Sequence, residues 1–308
     1  MWNYEDLIDG AIGYGRISDF IITNNKTPLN NDILEKDAII LCRTDLIDFL
    51  FSFIKNSNKN YILITHFTDR HVNESEEQRT HNNSAIFSHK PSCVIKWYAT
   101  TTTFHHKDLI QIPLGFGIHW EHPNWPRFNE KYRQWMYDNC ERLVNIEKNN
   151  NTVYCNFTTG GFQSYRDDVV KKLQTSGINC FVREKRIPFP EYCEEMAKYK
   201  FVASPPGDGI DAHRNWEALY LGCIPIVLDS MPVASYNGWF TYRGNVRGVN
   251  IYENYDLPFL VVDNYSKINY NLLNNYLDYY KKHDFKYEQM NLSYWENKMK
   301  NDLKNCSD

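Results

Sequence analysis

The run Phe201-Val-Ala-Ser-Pro-Pro-Gly-Asp-Gly-Ile-Asp-Ala-His-Arg-Asn-Trp-Glu-Ala-Leu-Tyr-Leu-Gly-Cys-Ile-Pro-Ile-Val227 reads in one pass as strand, glycine-containing loop, helix and strand. The apolar stretch before Ser204 and the stretch Ile224–Leu228 have the length and composition of buried strands, and Ala212 to Leu221 has helical spacing. A strand–helix–strand unit of this length implies parallel pairing, because a parallel crossover needs about a dozen residues, usually helical.

Working outward, the same alternation fills the chain. Asp37–Cys42, Tyr61–Thr65, Cys93–Tyr98 and Leu109–Pro113 read as strands, with helices over Thr44–Lys55 and Asn129–Lys148. The polar, turn-rich run Lys148–Thr152 reads as a hinge. Beyond it, strands are expected at Val153–Phe157, Asn179–Val182, Phe201–Ala203, Ile224–Leu228 and Phe259–Val262. Helices are expected at Ser164–Ser176, Pro190–Lys198, Ala212–Leu221, Ser266–Lys282 and Tyr287–Lys304. Two successive alternations give an α/β chain with two Rossmann-like units, 1–150 and 151–308.

Composition bounds the function. The 308 residues suffice for two compact domains, and 42% hydrophobic with 23% charged residues is ordinary for folded chains. A net charge of −4 supplies no basic field, so nucleic acid is not expected as the main partner. Met1–Asp6 has neither the positive nor the apolar region of a signal peptide, and no apolar run is long enough to span a bilayer. The expectation is a soluble, cytoplasmic protein without a membrane span. The eight cysteines include no C-x-x-C pair and read as buried free thiols.

The chemistry concentrates in the opening run. Gly207 and Gly209 let backbone N–H groups turn toward a ligand, and a helix starting near Asp211 adds unpaired N–H groups and the positive end of its dipole. That combination at a strand's carboxyl end suits a diphosphate, with Ser204 at the head of the loop. His213 and Glu217, four apart, share a helix face; Arg214 beside them carries a fork of donors for a phosphate, and Glu217 is placed to accept from ribose hydroxyls. Asp208 reads as facing sugar hydroxyls. The plainer alternative makes the glycines an ordinary turn, Asp211 an N-cap, and Arg214 and Glu217 solvated. The dinucleotide fingerprint G-x-G-x-x-G is absent here, and Gly13-Tyr-Gly15 and Gly115-Phe-Gly117 also lack its third glycine.

This segment resembles the exostosin family of glycosyltransferases, which carry a Gly-x-Gly loop, a helical Arg-x-x-Glu-Ala and a Gly-Cys-Ile-Pro strand. Arg214, Glu217, Ala218 and Gly222–Pro225 match that pattern. Upstream, Leu63-Ile-Thr-His-Phe-Thr-Asp69, Ile95-Lys-Trp-Tyr98 and Ile112-Pro-Leu-Gly115 are similar to a smaller exostosin-like group that includes the ribitol xylosyltransferase and enzymes of large DNA viruses. The resemblance implies a GT-B fold, two Rossmann-like domains facing across a cleft. It also implies a nucleotide-sugar donor in the C-terminal domain, UDP-linked and with xylose suggested, and a glycan or glycoconjugate acceptor on the N-terminal one. Transfer would proceed with inversion and without metal, and no cofactor is implied. Pro206 stands where exostosins usually carry Arg, and Arg166, opening the first helix of the second unit, is the basic residue expected to replace it. A non-catalytic nucleotide-sugar or glycan-binding protein of the same fold is the alternative.

A general base belongs at the carboxyl end of the Tyr61–Thr65 strand, where Asp69 and His66 are the candidates and His119 a third. Eight of the ten histidines fall between His66 and His122 without an H-x-x-x-H pair, so they read as loop residues of an acceptor cleft rather than metal ligands. Trp120 and Trp125 are candidates to stack on a sugar ring. Trp135, Met136 and Leu143, at helical spacing, read as core.

Overall fold

The computed structural model describes residues 6–25, 29–67, 70–78, 84–117, 130–157, 166–183, 185, 187–207, 210–229, 235–236, 240–241 and 251–306. The first half carries β1 (Phe20–Ile22), β2 (Ala38–Arg43), β3 (Tyr61–His66), the short β4 (Val72–Asn73) and β5 (Ala85–Ile86), β6 (Val94–Ala99) and β7 (Leu109–Gln111). Its helices are α1 (Ala11–Arg16), α2 (Ile47–Ile54) and α3 (Glu130–Val144). The second half carries β8 (Asn149–Cys155), β9 (Asn179–Val182), β10 (Tyr199–Ala203), β11 (Ile224–Leu228), the two-residue β12 (Ser235–Tyr236) and β13 (Phe240–Thr241), and β14 (Leu260–Val262). Its helices are α4 (Asp167–Thr175), α5 (Phe189–Met196), α6 (His213–Tyr220), α7 (Tyr270–Lys282) and α8 (Leu292–Lys304).

The result is a mixed α/β protein with two five-stranded parallel sheets, ordered β1-β2-β3-β6-β7 and β14-β11-β10-β8-β9. The first sheet follows chain order across its width. In the second the chain steps from β8 outward to β9, then returns to the other side of β8 for β10, β11 and β14. That reversal is the 2-1-3-4-5 order of doubly wound sheets, and it opens a crevice beyond the carboxyl ends of β8 and β10.

Burial on both faces explains the strand composition: every residue of β3 and β11 is buried, as parallel sheets require. On β2, Ala38, Ile40 and Cys42 face α2, while Ile39 and Leu41 face a central cluster. On the second sheet, Val153, Phe201 and Ile226 face α4 and α7, while Tyr154, Val202 and Val227 face the same central cluster. The two sheets therefore share one apolar interior, filled by α3, α5, α6 and α8. Within it Met136 and Leu143 are fully buried and Trp135 partly so, as their spacing predicts.

The structure corrects several sequence boundaries. Lys148–Thr152, read as a hinge, is mostly the start of β8: Asn149 N donates to Lys198 O at 2.8 Å, and exposed polar side chains cost nothing at a strand's first residues. The last helix does not stay with the second sheet. The hydroxyl of Tyr98 on β6 donates to Asp302 on α8 at 2.5 Å, and Tyr220 OH donates to Met290 O while accepting from Ile8 N. Among the described residues no helix is long and apolar enough to cross a membrane.

Candidate functional site

The β8/β10 crevice collects the chemistry. β8 runs into Asn156 and Phe157, β10 into Ser204–Gly207, and α6 starts two turns of loop later. Arg214, in the first turn of α6, donates from Nε to Asn156 O at 3.0 Å, and its guanidinium lies 5.5 Å from the centre of the Phe157 ring. Its Nη1 is buried without a hydrogen-bond partner among the described residues. The Oγ of Ser204 is equally orphaned in a residue only 2% exposed. Burying a cationic donor unpaired is expensive, and so is burying a hydroxyl that bonds nothing. Both costs disappear if an anion enters. Arg166 is buried where it opens α4, and its Nε donates to Pro206 O at 2.8 Å, bracing the loop after β10.

Asn156 is itself fixed. Its Nδ2 donates to the Tyr154 hydroxyl at 2.9 Å, Tyr154 OH donates to Glu195 at 2.9 Å, and Arg183 pairs with the same carboxylate. Tyr154 also stacks against Phe181 at 11°. Arg183, just past β9, is thereby committed to Glu195. Tyr154, Asn156 and Glu195 were missed, although the carboxyl end of the first strand in the second unit was the place to look for Asn156.

The adjoining face of α6 meets the first half. The loop after β7 runs along the helix: Leu114 N donates to Asp211 Oδ2 at 3.1 Å, His213 Nδ1 contacts Gly115 O at 2.8 Å, and Gly117 N donates to Glu217 Oε1 at 3.2 Å. Tyr192 OH donates to Glu217 Oε2 at 2.9 Å, and the buried carboxylate in turn pushes the acidity of that phenol down, a secondary cause behind burial. Glu217 is 7% exposed, so the reading that left it solvated is overturned. Gly115 is required here, because its φ is +76° and a Cβ would press on Ile8 O and sit 2.7 Å from Gly10 N.

Asp211 is not the N-cap, a position held by Ala212 without a side-chain bond. Its carboxylate is buried and accepts from Leu114 N, Ala212 N, Asn215 Nδ2 and Trp216 Nε1. Burial pushes its pKa up to about 6 against those hydrogen bonds. It ties the halves together, with no lone pair aimed at the β8/β10 crevice. Ser204, Arg166 and Arg214 are thus brought together at the crevice with Gly207 on its loop, while Asp211, His213 and Glu217 are brought together on the interface. Asp208 and Gly209 lie outside the described residues.

On the first sheet, His66 ends β3 and is 5% exposed. Phe67 follows with φ of 74°, a left-handed conformation costly for a side chain this large, which turns its N–H back onto His66 Nδ1 at 2.6 Å. With Nδ1 accepting, Nε2 carries the proton and faces Leu114 O at 3.3 Å. Burial, reinforced by His213, lowers the pKa to about 3, so the ring is neutral and both nitrogens are committed. His66 therefore has no lone pair left to take a proton, and the other two base candidates, Asp69 and His119, lie outside the described residues, as do Trp120 and Trp125. Among the described residues no group of three His, Cys, Asp or Glu is placed to hold a metal ion.

Compared with known proteins, the chain matches no protein-family model and no curated sequence.

Proposed function

We propose that this protein is an inverting GT-B-type glycosyltransferase that moves a sugar from a nucleotide-sugar donor to an acceptor hydroxyl. The observation that carries the reading is the pair of buried groups without a partner among the described residues, Arg214 Nη1 and Ser204 Oγ, at the β8/β10 switch point beside the start of α6. An anion at that place would repay both burial costs and meet the positive end of the helix. Ser204, Gly207 and Arg214, which belong to the stretch that resembles the exostosins, contribute to this corner, which favours a diphosphate linked to a sugar over a simple anion.

In the proposed reaction the acceptor oxygen attacks the anomeric carbon as the bond to the diphosphate oxygen breaks. The acceptor's proton passes to a base on the first half, for which Asp69, three residues past His66 in the sequence, and His119 are the remaining candidates. Arg214, Ser204 and the loop at Gly207 take up the negative charge of the leaving diphosphate, the role a metal ion plays in other transferases. The donor is UDP-linked on this reading, with xylose the sugar suggested by the resemblance.

Calorimetry with UDP in the presence of chelator tests the site. Wild type should bind, and Arg214→Ala should weaken binding about tenfold to hundredfold, the usual worth of a charged hydrogen bond. Absence of UDP binding, or equal binding by the variant, overturns the reading. Binding without donor cleavage or transfer across an acceptor panel would instead favour a non-catalytic nucleotide-sugar-binding protein.

A further inference from the structure

An arginine side chain is long and rotamer-rich, and it serves an anion well only when its fork is held in one orientation. Arg214 is held through Nε, which donates to Asn156 O at 3.0 Å. That acceptor is not part of the sheet. Asn156 stands one residue past β8, beyond the last paired residues Cys155 and Val182, so the aim of its carbonyl depends on what its side chain grips.

The side chain grips a chain of hydrogen bonds whose direction is forced. Glu195, paired with Arg183, is a carboxylate at neutral pH and only accepts, so the Tyr154 hydroxyl donates its one proton to Oε1 at 2.9 Å. Toward Asn156 the same hydroxyl offers only a lone pair. The amide is therefore turned so that Nδ2, and not Oδ1, faces Tyr154, at 2.9 Å. The far end is anchored as well: Arg183 donates from Nε to Glu195 Oε1 at 3.1 Å and pairs through Nη2 with Oε2. Tyr154 is fully buried, with its ring within 11° of Phe181 and 25° of Tyr199, so packing holds the hydroxyl in place. A half-exposed ion pair is thus connected, through β9, α5 and β8, to the guanidinium on α6.

We propose that Glu195 and Tyr154 are positioning residues, which through Asn156 hold Arg214 in the orientation that receives the diphosphate of the donor. The inference rests on the reading of Arg214 as the anion-facing residue. Both act through Asn156 and make no contact of their own with the diphosphate.

The test has one arm with ligand and one without. Calorimetry compares UDP affinity in wild type, Tyr154→Phe, Glu195→Ala and Glu195→Gln. Tyr154→Phe keeps the ring and loses only the hydroxyl, and should weaken UDP about three- to tenfold, the worth of one hydrogen bond. Glu195→Ala should do the same, whereas Glu195→Gln restores an acceptor for Tyr154 and should bind within about twofold of wild type. In an Arg214→Ala background, Tyr154→Phe should weaken binding no further. Without ligand, the order parameter of the Arg214 Nε–H group, measured by NMR, should fall in Tyr154→Phe and Glu195→Ala from near the rigid value of about 0.85 to about 0.6 or below. An unchanged order parameter overturns the proposal. So does a loss of affinity in Glu195→Gln as large as in Glu195→Ala, or a Tyr154→Phe effect that persists undiminished without Arg214. If wild type fails to bind UDP while the order parameter falls as expected, the donor reading fails and the positioning of Arg214 stands.

Discussion

Acidification should weaken this fold, and Asp211→Asn should make the weakening worse. His66 and Asp211 hold opposite ends of one residue, Leu114, through its O and N. Burial lowers the His66 pKa from 6.5 to about 3, so the folded state binds fewer protons than the unfolded chain between those values. The resulting stability is fully present above pH 6.5 and is lost as pH falls toward 3; linkage puts the loss at about 3 kcal/mol by pH 4. His213, also lowered by burial, acts in the same direction. Asp211 acts against them. Its pKa is raised from 3.8 to about 6, so the folded state takes up its proton first, and stability from this group grows as pH falls from 6 toward 4, by about 2 kcal/mol. Asp211→Asn keeps the shape and removes that compensation. Urea unfolding followed by tryptophan fluorescence at pH 7 and pH 4, at constant ionic strength, should show the variant losing about 2 kcal/mol more than wild type across the interval. Groups common to both proteins cancel in the difference. If the two pH dependences coincide, or the variant's is shallower, Asp211 does not sit in the buried, proton-attracting bracket described here.

Two further substitutions probe how the halves are joined. Gly115→Ala places a Cβ against the backbone of Ile8 and Gly10 at a φ of +76°, and should cost about 3 kcal/mol or more by displacing the loop from α6; a melting temperature within a degree or two of wild type would contradict that packing. Tyr98→Phe removes the bond that ties α8 to β6 and leaves Asp302 with one donor fewer, so denaturant unfolding should show a loss of about 1–2 kcal/mol; no change would mean α8 is held by apolar contact alone.

The strands were the most legible part of the fold. Ile224–Leu228 is read to the residue, because a parallel strand buried on both faces leaves an uninterrupted apolar run, and the half-exposed edge strand Asn179–Val182 is read to the residue as well. β1 was invisible: three residues on a sheet edge, with Ile21 53% exposed, carry no periodic signal. Helix ends shifted where turns of 3-10 type intervene, as at Tyr265–Lys267 before α7. In the site, the Gly207 loop, Arg214 and Arg166 were legible because strand ends in such sheets are ligand edges. The partners of Glu217 and Asp211 were not. Gly117 and Leu114 lie about a hundred residues away in the loop after β7, and nothing local in the sequence announces a backbone N–H as the partner of a distant carboxylate.

That pairing changes what Glu217 is expected to do. Read from the sequence, Arg214 and Glu217 serve one ligand, phosphate and ribose respectively. In the fold, one turn apart on α6, they have different partners. Arg214 opens toward Asn156 and the crevice, whereas both oxygens of Glu217 are occupied, Oε1 by Gly117 N and Oε2 by Tyr192 OH. Glu217→Gln keeps the shape but removes the charge from two buried hydrogen bonds, so it should lower unfolding free energy by about 1–3 kcal/mol. The folded variant should bind UDP within about threefold of wild type. The opposite outcome is equally readable. If Glu217→Gln leaves stability unchanged but weakens UDP tenfold or more, and couples with Arg214→Ala, then Glu217 exchanges Gly117 for the ribose on binding. The contact between the halves would then be one the donor has to displace, and donor binding would loosen the grip of the β7 loop on α6.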